Sequence, residues 1–249
     1  MRPALSAVLI TLDAAGEIEA CLDSIAFADE IVVLDSGSSD TTREIAARRG
    51  ARVIDQPWRG YGLQKQLAVD AASNEWVLAI DADERVSGAL RASILAALEQ
   101  PTAMAFEMAR CNRFMGRWLR HGEGYPDWSV RLFHRAHARW SEDSIHERVV
   151  TSSPPVRLRG DLLHESAESL DRYLAKQNRY TTLQAEALVQ RQRSGYALRM
   201  LSSPILRFLK FYLLRLGFLD GLPGLVHVTI GCMNSFNKYA KALALKQAR

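Results

Sequence analysis

An α/β fold, with a mostly parallel sheet flanked by helices, is what this 249-residue sequence predicts. Three observations lead there. Short apolar, β-branched runs alternate with stretches of helical spacing through the first hundred residues. The spacing between runs suits strand–helix–strand crossovers. Two of the runs end on aspartate, at Asp35 and at Asp81, where ligands of open parallel sheets bind.

Ala4–Leu12 (ALSAVLITL) reads as the first strand, and Glu17–Ile25 as a helix with Ile18, Leu22 and Ile25 on one face. Glu30–Leu34 is a second, buried strand; SGSSD then supplies turn residues and a cap for a helix over Thr41–Arg49. Ala51–Ile54 is a third strand, Gly62–Ala72 a helix, and Trp76–Ile80 a fourth strand. From Thr102 to about Asp161 the chain is rich in Arg, His and Trp, with β-like runs at Met104–Ala109 and Val130–His134 and an exposed turn at Pro154-Pro155. A long polar helix is expected from Ser169 to Arg193. An apolar, basic tail follows: Ile205–Leu219, a GLPG break, and Val226–Leu245. These shifts divide the chain into a domain of residues 1–168 and a helical extension of residues 169–249.

A chain 48% hydrophobic and 24% charged is not a disordered one. The net charge of +4 hides a gradient: about −7 over residues 1–100, +4 over 101–195 and +7 over 196–249, where Asp220 is the sole acid. An acidic front and a basic tail imply two jobs. Cys21, Cys111 and Cys232 are scattered and odd in number, which offers no disulfide framework and suits a reducing compartment. The opening MRPALSAVLITLDAAGE has too short an apolar run, and turns acidic too soon, for a secretory signal to be expected.

The chemistry is concentrated at the strand ends. Asp81-Ala82-Asp83 offers alternating oxygen ligands to one hard divalent ion, Mg²⁺ or Mn²⁺, which also neutralises phosphate oxygens. Such a triplet in a loop is commonly a solvated turn; here it follows the apolar run WVLAI, where that reading is less comfortable.

The frame VLITLDAAGEIEACLDSI, IVVLDSGSSDTT and WVLAIDADE resembles the opening of the family 2 glycosyltransferases, which have the GT-A fold. The resemblance implies that Asp35 binds the nucleotide, that Asp81 contacts the ribose or the metal, and that Asp83 is the principal metal ligand. It also places Thr11 and Leu12 against the base. Further on, GYGLQKQLA (Gly60–Ala68), YPDWSVRLFHR (Tyr125–Arg135), SIHERV (Ser144–Val149), LLHES (Leu162–Ser166) and GFLDG (Gly217–Gly221) are similar to the lipopolysaccharide core glucosyltransferase branch. That likeness spans nearly the whole chain and implies inverting transfer of glucose from UDP-glucose to an inner-core heptose. TLDAAGE departs from the pattern, since the family more often has Asn and Glu after Thr-Leu.

Inversion needs a base opposite the leaving diphosphate to take the acceptor hydroxyl proton. Asp127, Glu142, Asp143 and Glu147 are the carboxylates available in the central region. Glu147 is favoured because the family places an acid after the central loop; Asp127 is second. The plain alternative is that Glu147 pairs with Arg148 or caps a helix. Lys65 is a candidate phosphate contact, or else a solvated helix lysine, and the guanidinium fork of Arg131 suits a diphosphate. His146 or His164 completes the metal shell, with imidazole an acceptable Mn²⁺ ligand. Trp118, Tyr125 and Trp128 are candidates for a sugar-stacking wall or for core packing.

No apolar stretch of the tail reaches the ~18 residues of a spanning helix. Arg207, Lys210 and Lys241 among Phe208, Phe211, Tyr212 and Leu219 suggest instead a helix lying on an anionic membrane. The expected partners are a UDP-sugar, a lipid-linked saccharide acceptor and the inner-membrane surface, without nucleic acid; the expected location is the cytoplasmic side of the cell membrane. Two other classes remain. A nucleotidyltransferase shares strand-end acids but needs a Gly-rich basic loop after the first strand. A noncatalytic nucleic-acid-binding protein would use the basic tail, with steeply salt-dependent binding. An NAD-dependent oxidoreductase lacks its GxGxxG.

Overall fold

The computed structural model describes residues 2–141, 147–165, 169–191 and 195–247. The chain forms two compact units, one of Met1–Arg110 with Asp127–Glu165 and one of Cys111–Pro126 with Ser166–Arg249.

In the first unit, β1 (Leu5–Thr11), β2 (Glu30–Asp35), β3 (Arg52–Asp55) and β4 (Trp76–Ala79) lie side by side in the order β3-β2-β1-β4, all parallel. Helices α1 (Ile18–Ser24), α2 (Thr42–Arg48) and α3 (Tyr61–Asp70) make the crossovers. This is the parallel block that the alternating runs predict. Period-2 alternation sorts β1 between two cores. Leu5, Ala7 and Leu9 pack with Ile18, Leu22 and Ile25 of the α1 region, while Val8 packs with Val32, Leu34, Ala68 and Val69 on the α3 side. The pairings Thr11↔Asp35 and Asp35↔Asp55 bring three strand ends level.

Beyond β4 the sheet is antiparallel. β5 (Glu84–Val86), β6 (Ala105–Phe114), β8 (Asp127–His134) and β11 (Val156–His164) extend it in the order β4-β8-β6-β11-β5. The β4–β8, β6–β8 and β5–β11 pairs are antiparallel. Helix α4 (Gly88–Glu99), absent from the sequence expectation, buries Leu90, Ile94 and Leu98 at four-residue spacing and is capped by Ser87, whose Oγ accepts the Leu90 N–H at 3.3 Å. Gly160 of β11 has φ +93° and lies against the Leu90 backbone so closely that a Cβ would overlap it. A two-stranded ribbon of β9 (Ala138–Trp140) and β10 (Val149–Thr151) completes the unit.

In the second unit, β7 (Arg117–Trp118) folds back on the end of β6. The expected polar helix is α5 (Leu170–Gln190). Helix α6 (Tyr196–Phe208) contains Pro204 and takes in only the start of the first tail run, which widens into a π-helical stretch over Leu209–Leu214. The GLPG stretch is not the break. The chain turns before it, through the tight turn Gly217–Asp220, and GLPG opens α7 (Gly221–Gln247), since proline is tolerated in a first helical turn. Asp220 is buried and fastens this turn, accepting N–H bonds from Arg120 at 3.0 Å and His121 at 2.8 Å. Among the described residues no single helix is long and apolar enough to cross a membrane. One pair, Tyr196–Leu214 and Gly217–Gln247, passes by length and composition together and is bent by 72°.

Candidate active site

Each parallel strand delivers its last residues to one edge of the sheet. At the ends of β1 and β2 the side chains turn inward. Asp35 has no solvent exposure and accepts bonds from Thr11 Oγ1 at 2.8 Å, Gly37 N at 3.0 Å, Ser38 N at 2.8 Å and Ser38 Oγ at 2.5 Å. Burial pushes its pKa up, but the bonds from Ser38, Thr11 and Gly37 together hold it below the ordinary value. Thr11 and Asp35, expected to meet the nucleotide, thus bond to each other and brace the turn at Gly37 and Ser38. Leu12 is 57% exposed at the same edge. The two loops there are stitched together: Ser39 N donates to Asp13 Oδ1 at 2.7 Å and Ala15 N to Asp40 Oδ2 at 3.0 Å.

At the end of β4 lies a continuous chain of alternating charges. Lys65 Nζ sits 2.9 Å from Asp81 Oδ1 and 3.2 Å from Glu147 Oε1. Arg131 Nη2 donates to Asp81 Oδ2 at 2.8 Å and to Glu84 Oε1 at 2.7 Å. Arg110 continues from Glu84, at 3.6 Å, to Asp127, at 2.9 Å. Glu147 and Asp127, the two candidate bases, are therefore the two ends of one ionic chain whose middle is Arg131. Each base candidate keeps contact with water, Glu147 at 21% and Asp127 at 42% side-chain exposure.

Burial raises the pKa of Asp81, yet the charges of Arg131 and Lys65 hold it well below the usual carboxylate range, so it is ionised at any working pH. Glu84 is raised, first by burial and then by Asp81, against the pull of Arg131 and Arg110. Lys65 is not the solvated helix lysine of the plain reading. It is buried on α3, 4.7 Å from the centre of the Trp140 ring. Glu147 pairs with Lys65. Arg131, expected to face a diphosphate, is 5% exposed with its fork engaged by Asp81 and Glu84. Its Nε and the Trp140 Nε1 have no hydrogen-bond partner among the described residues. Lys65, Asp81, Arg131 and Trp140 together line a small pocket, partly open to solvent.

Asp83, two residues on, is separate from that chain. Its side chain is 34% exposed and its Oδ2 lies 3.0 Å from His164 Nε2. The pairing His164↔Glu84 of β11 with β5 sets this contact, and Glu165 N donates to Asp83 O at 3.0 Å. Carboxylate oxygens and an imidazole nitrogen form a donor set that suits Mn²⁺. Among the described residues no three His, Cys, Asp or Glu side chains converge on one point. Asp83 and His164 are the side chains here that could hold a divalent ion, with the remaining positions left to substrate oxygens and water. His146, Glu142 and Asp143 lie outside the described residues.

Several residues here were not among the sequence candidates. They are Glu84 of β5, Arg110 of β6 and Trp140 of β9. Gln64 is fully buried and ties the loop before α3 to β2 by donating to Ser36 Oγ at 3.1 Å and Gln56 O at 3.0 Å. Of the proposed sugar wall, Trp128 packs under the Arg157 guanidinium at 4.5 Å; Trp118 and Tyr125 belong to the second unit.

The tail cations also divide. Lys241 donates to Asn178 O at 2.8 Å and to Thr181 and Thr182 of α5, while Arg207 is paired with Glu123 and bonds Ser235 at 3.0 Å. These two, expected to face headgroups, instead fasten the second unit internally. Lys210 stays exposed beside a run of exposed apolar residues, among them Leu209, Leu213, Leu214, Phe218, Leu219 and Leu222.

Residues 6–154 match the model of Glycosyl transferase family 2. The lipopolysaccharide core biosynthesis glycosyltransferase LpsC of Rhizobium meliloti (strain 1021) is 30% identical over 247 residues, covering 95% of this chain and 91% of that protein. An uncharacterised glycosyltransferase of Rickettsia typhi is 29% identical, covering 95% and 86%. Among solved structures, glucosyl-3-phosphoglycerate synthase from Mycobacterium tuberculosis, in complex with Mn²⁺, UDP and glucosyl-3-phosphoglycerate, is similar with a TM-score of 0.38 and 27% identity. The match covers 45% of this chain and 44% of that one.

Proposed function

The chain belongs to glycosyltransferase family 2, near the lipopolysaccharide core branch, and from that premise we propose that it transfers glucose from UDP-glucose, with inversion, to a heptose of a lipid-linked core saccharide. One observation carries the placement of the chemistry: the ionic chain at the end of β4 gathers Asp81, Lys65, Arg131 and both candidate bases, with Asp83 and His164 beside it. The name of the Rhizobium relative supports the acceptor class.

In this reading Asp35 and Thr11 shape the floor under the nucleoside, and Leu12 offers an apolar edge to the base. Asp83 would hold the divalent ion together with a histidine, His146 or the His164 beside it, while Asp81 would add negative charge from the same turn. When bound, that ion neutralises charge on the leaving diphosphate. Lys65 adds a positive charge on the same side. Glu147 takes the proton of the acceptor hydroxyl as its oxygen bonds to the anomeric carbon, the bond to the diphosphate breaks, and its electron pair leaves with UDP. Asp127 is the alternative base. Arg131 acts through Asp81, fixing the carboxylate it grips.

We further propose that the protein works peripherally on the cytoplasmic face of the cell membrane. Lys210 and the exposed leucines around it would settle into an anionic interface.

A screen of UDP- and GDP-sugars with Mn²⁺, reading hydrolysis and thermal shift, tests the donor. UDP-glucose should give the largest response. Preference for a GDP-sugar, or no turnover of any nucleotide-sugar, would contradict the proposal.

A further inference from the structure

Glu84 is the one carboxylate of the ionic chain with no solvent exposure, and burying an acid is costly unless its neighbours need it. Its two oxygens do different things. Oε2 accepts the Asp81 N–H at 3.0 Å, while the Glu84 N–H donates to Asp81 O at 2.9 Å, so the two residues close the Asp81–Glu84 turn reciprocally. Oε1 accepts Arg131 Nη2 at 2.7 Å, the same nitrogen that reaches Asp81 Oδ2 at 2.8 Å. Arg131 and Lys65 bring two positive charges to Asp81, at 2.8 and 2.9 Å. Two positive charges against one negative would over-neutralise it unless an acid competes for each: Glu147 shares Lys65, and Glu84 shares Arg131.

We propose that Glu84 is a positioning residue for the divalent cation: it draws off part of the Arg131 charge and fixes the turn, so that Asp81 and Asp83 keep the negative field a hard cation requires. The inference rests on the metal-dependent reading above and deepens it. Glu84 touches neither cation nor donor; it acts through Arg131 and the Asp81 backbone. Glutamine at position 84 keeps a side-chain oxygen to accept the Asp81 N–H, so Glu84→Gln removes the charge while leaving the turn its bond.

The test is Mn²⁺ affinity in the presence of UDP, read from the electron paramagnetic resonance signal of free Mn²⁺, with folding checked by thermal melts. In wild type, Asp83→Ala should abolish binding. Glu84→Gln should stay folded and bind Mn²⁺ about ten- to a hundredfold more weakly, the range for partners that support metal ligands. The double variant Glu84→Gln/Arg131→Gln should recover much of that loss, because the excess cation is gone. A role confined to packing predicts the opposite, a double variant no better than the single. Should Glu84→Gln fail to fold, Arg131→Gln alone decides: it should tighten Mn²⁺ binding, and unchanged or weaker binding overturns the inference. A folded Glu84→Gln with wild-type affinity overturns it while leaving the glycosyltransferase reading intact. Wild-type protein that binds no Mn²⁺ overturns both.

Discussion

Replacing Lys65 by methionine probes the ionic chain at the cation that joins Asp81 to Glu147. The side chain is 10% exposed, and its ammonium lies 2.9 Å from Asp81 and 3.2 Å from Glu147. At an effective dielectric of about 20, each contact is worth roughly 5–6 kcal/mol of Coulomb attraction, most of it cancelled by the cost of taking the charges out of water. Breaking a buried pair typically leaves a deficit of about 3–5 kcal/mol. The lower figure applies here, because Asp81 keeps Arg131 and Glu147 retains some water. For a chain of this size about 3 kcal/mol corresponds to a fall in Tm of roughly 6–12 °C. Thermal and urea unfolding followed by circular dichroism, without metal, gives the number. Glu147→Gln in the Lys65→Met background should cost little more, so the two substitutions should couple by about 1 kcal/mol or more. A Tm within 2 °C of wild type with strict additivity would refute the claim that these contacts hold the site.

Three further expectations concern other parts of the molecule. Glu147→Gln should lower the transfer rate by orders of magnitude with UDP affinity retained; if Asp127→Asn does so instead, the base is at the other end of the chain. Glu30 is bonded by Ser6 at 2.5 Å, Ser73 at 2.8 Å and Arg52 at 2.9 Å; burial would raise its pKa, but these bonds bring it from 4.5 to about 2. A lowered native pKa stabilises above pH 4.5 and loses that contribution as pH falls toward 2, so on the order of 3 kcal/mol should vanish in that window and Glu30→Gln should flatten it in acid titrations of stability. Leu214→Ser with Leu219→Ser should weaken sedimentation with anionic vesicles at least tenfold, given about 1.5–3 kcal/mol for each fully inserted leucine; unchanged binding would remove the tail from the membrane reading.

What could be read in the sequence follows the range of the interactions involved. The strands and helices up to β4 were legible because each buries its own apolar run, and Asp35, Asp81 and Asp83 because strand ends mark the ligand edge. Helix α4 was legible in principle from Ser87 and the Leu90–Ile94–Leu98 spacing. β11 was not, for RLRGDLL breaks its alternation at a glycine that packing demands. The ionic chain could not be seen at all. Lys65 and Glu147 are 82 residues apart, and Arg131 and Glu84 are 47 apart; β8 beside β4 carries Arg131 to that edge, and the β9–β10 ribbon, whose Trp140 N donates to Gln66 of α3, carries Glu147. The same distance effect hid the internal partners of Arg207 and Lys241, which as a local pattern look like headgroup contacts.

The most direct test of the donor site is Asp83→Ala, followed by calorimetric titration with UDP in the presence and absence of Mn²⁺. Wild-type protein should bind UDP in a Mn²⁺-dependent manner and turn over its UDP-sugar, while the folded variant loses both. A variant that still turns over a UDP-sugar with Mn²⁺ dependence intact would contradict the assignment of Asp83.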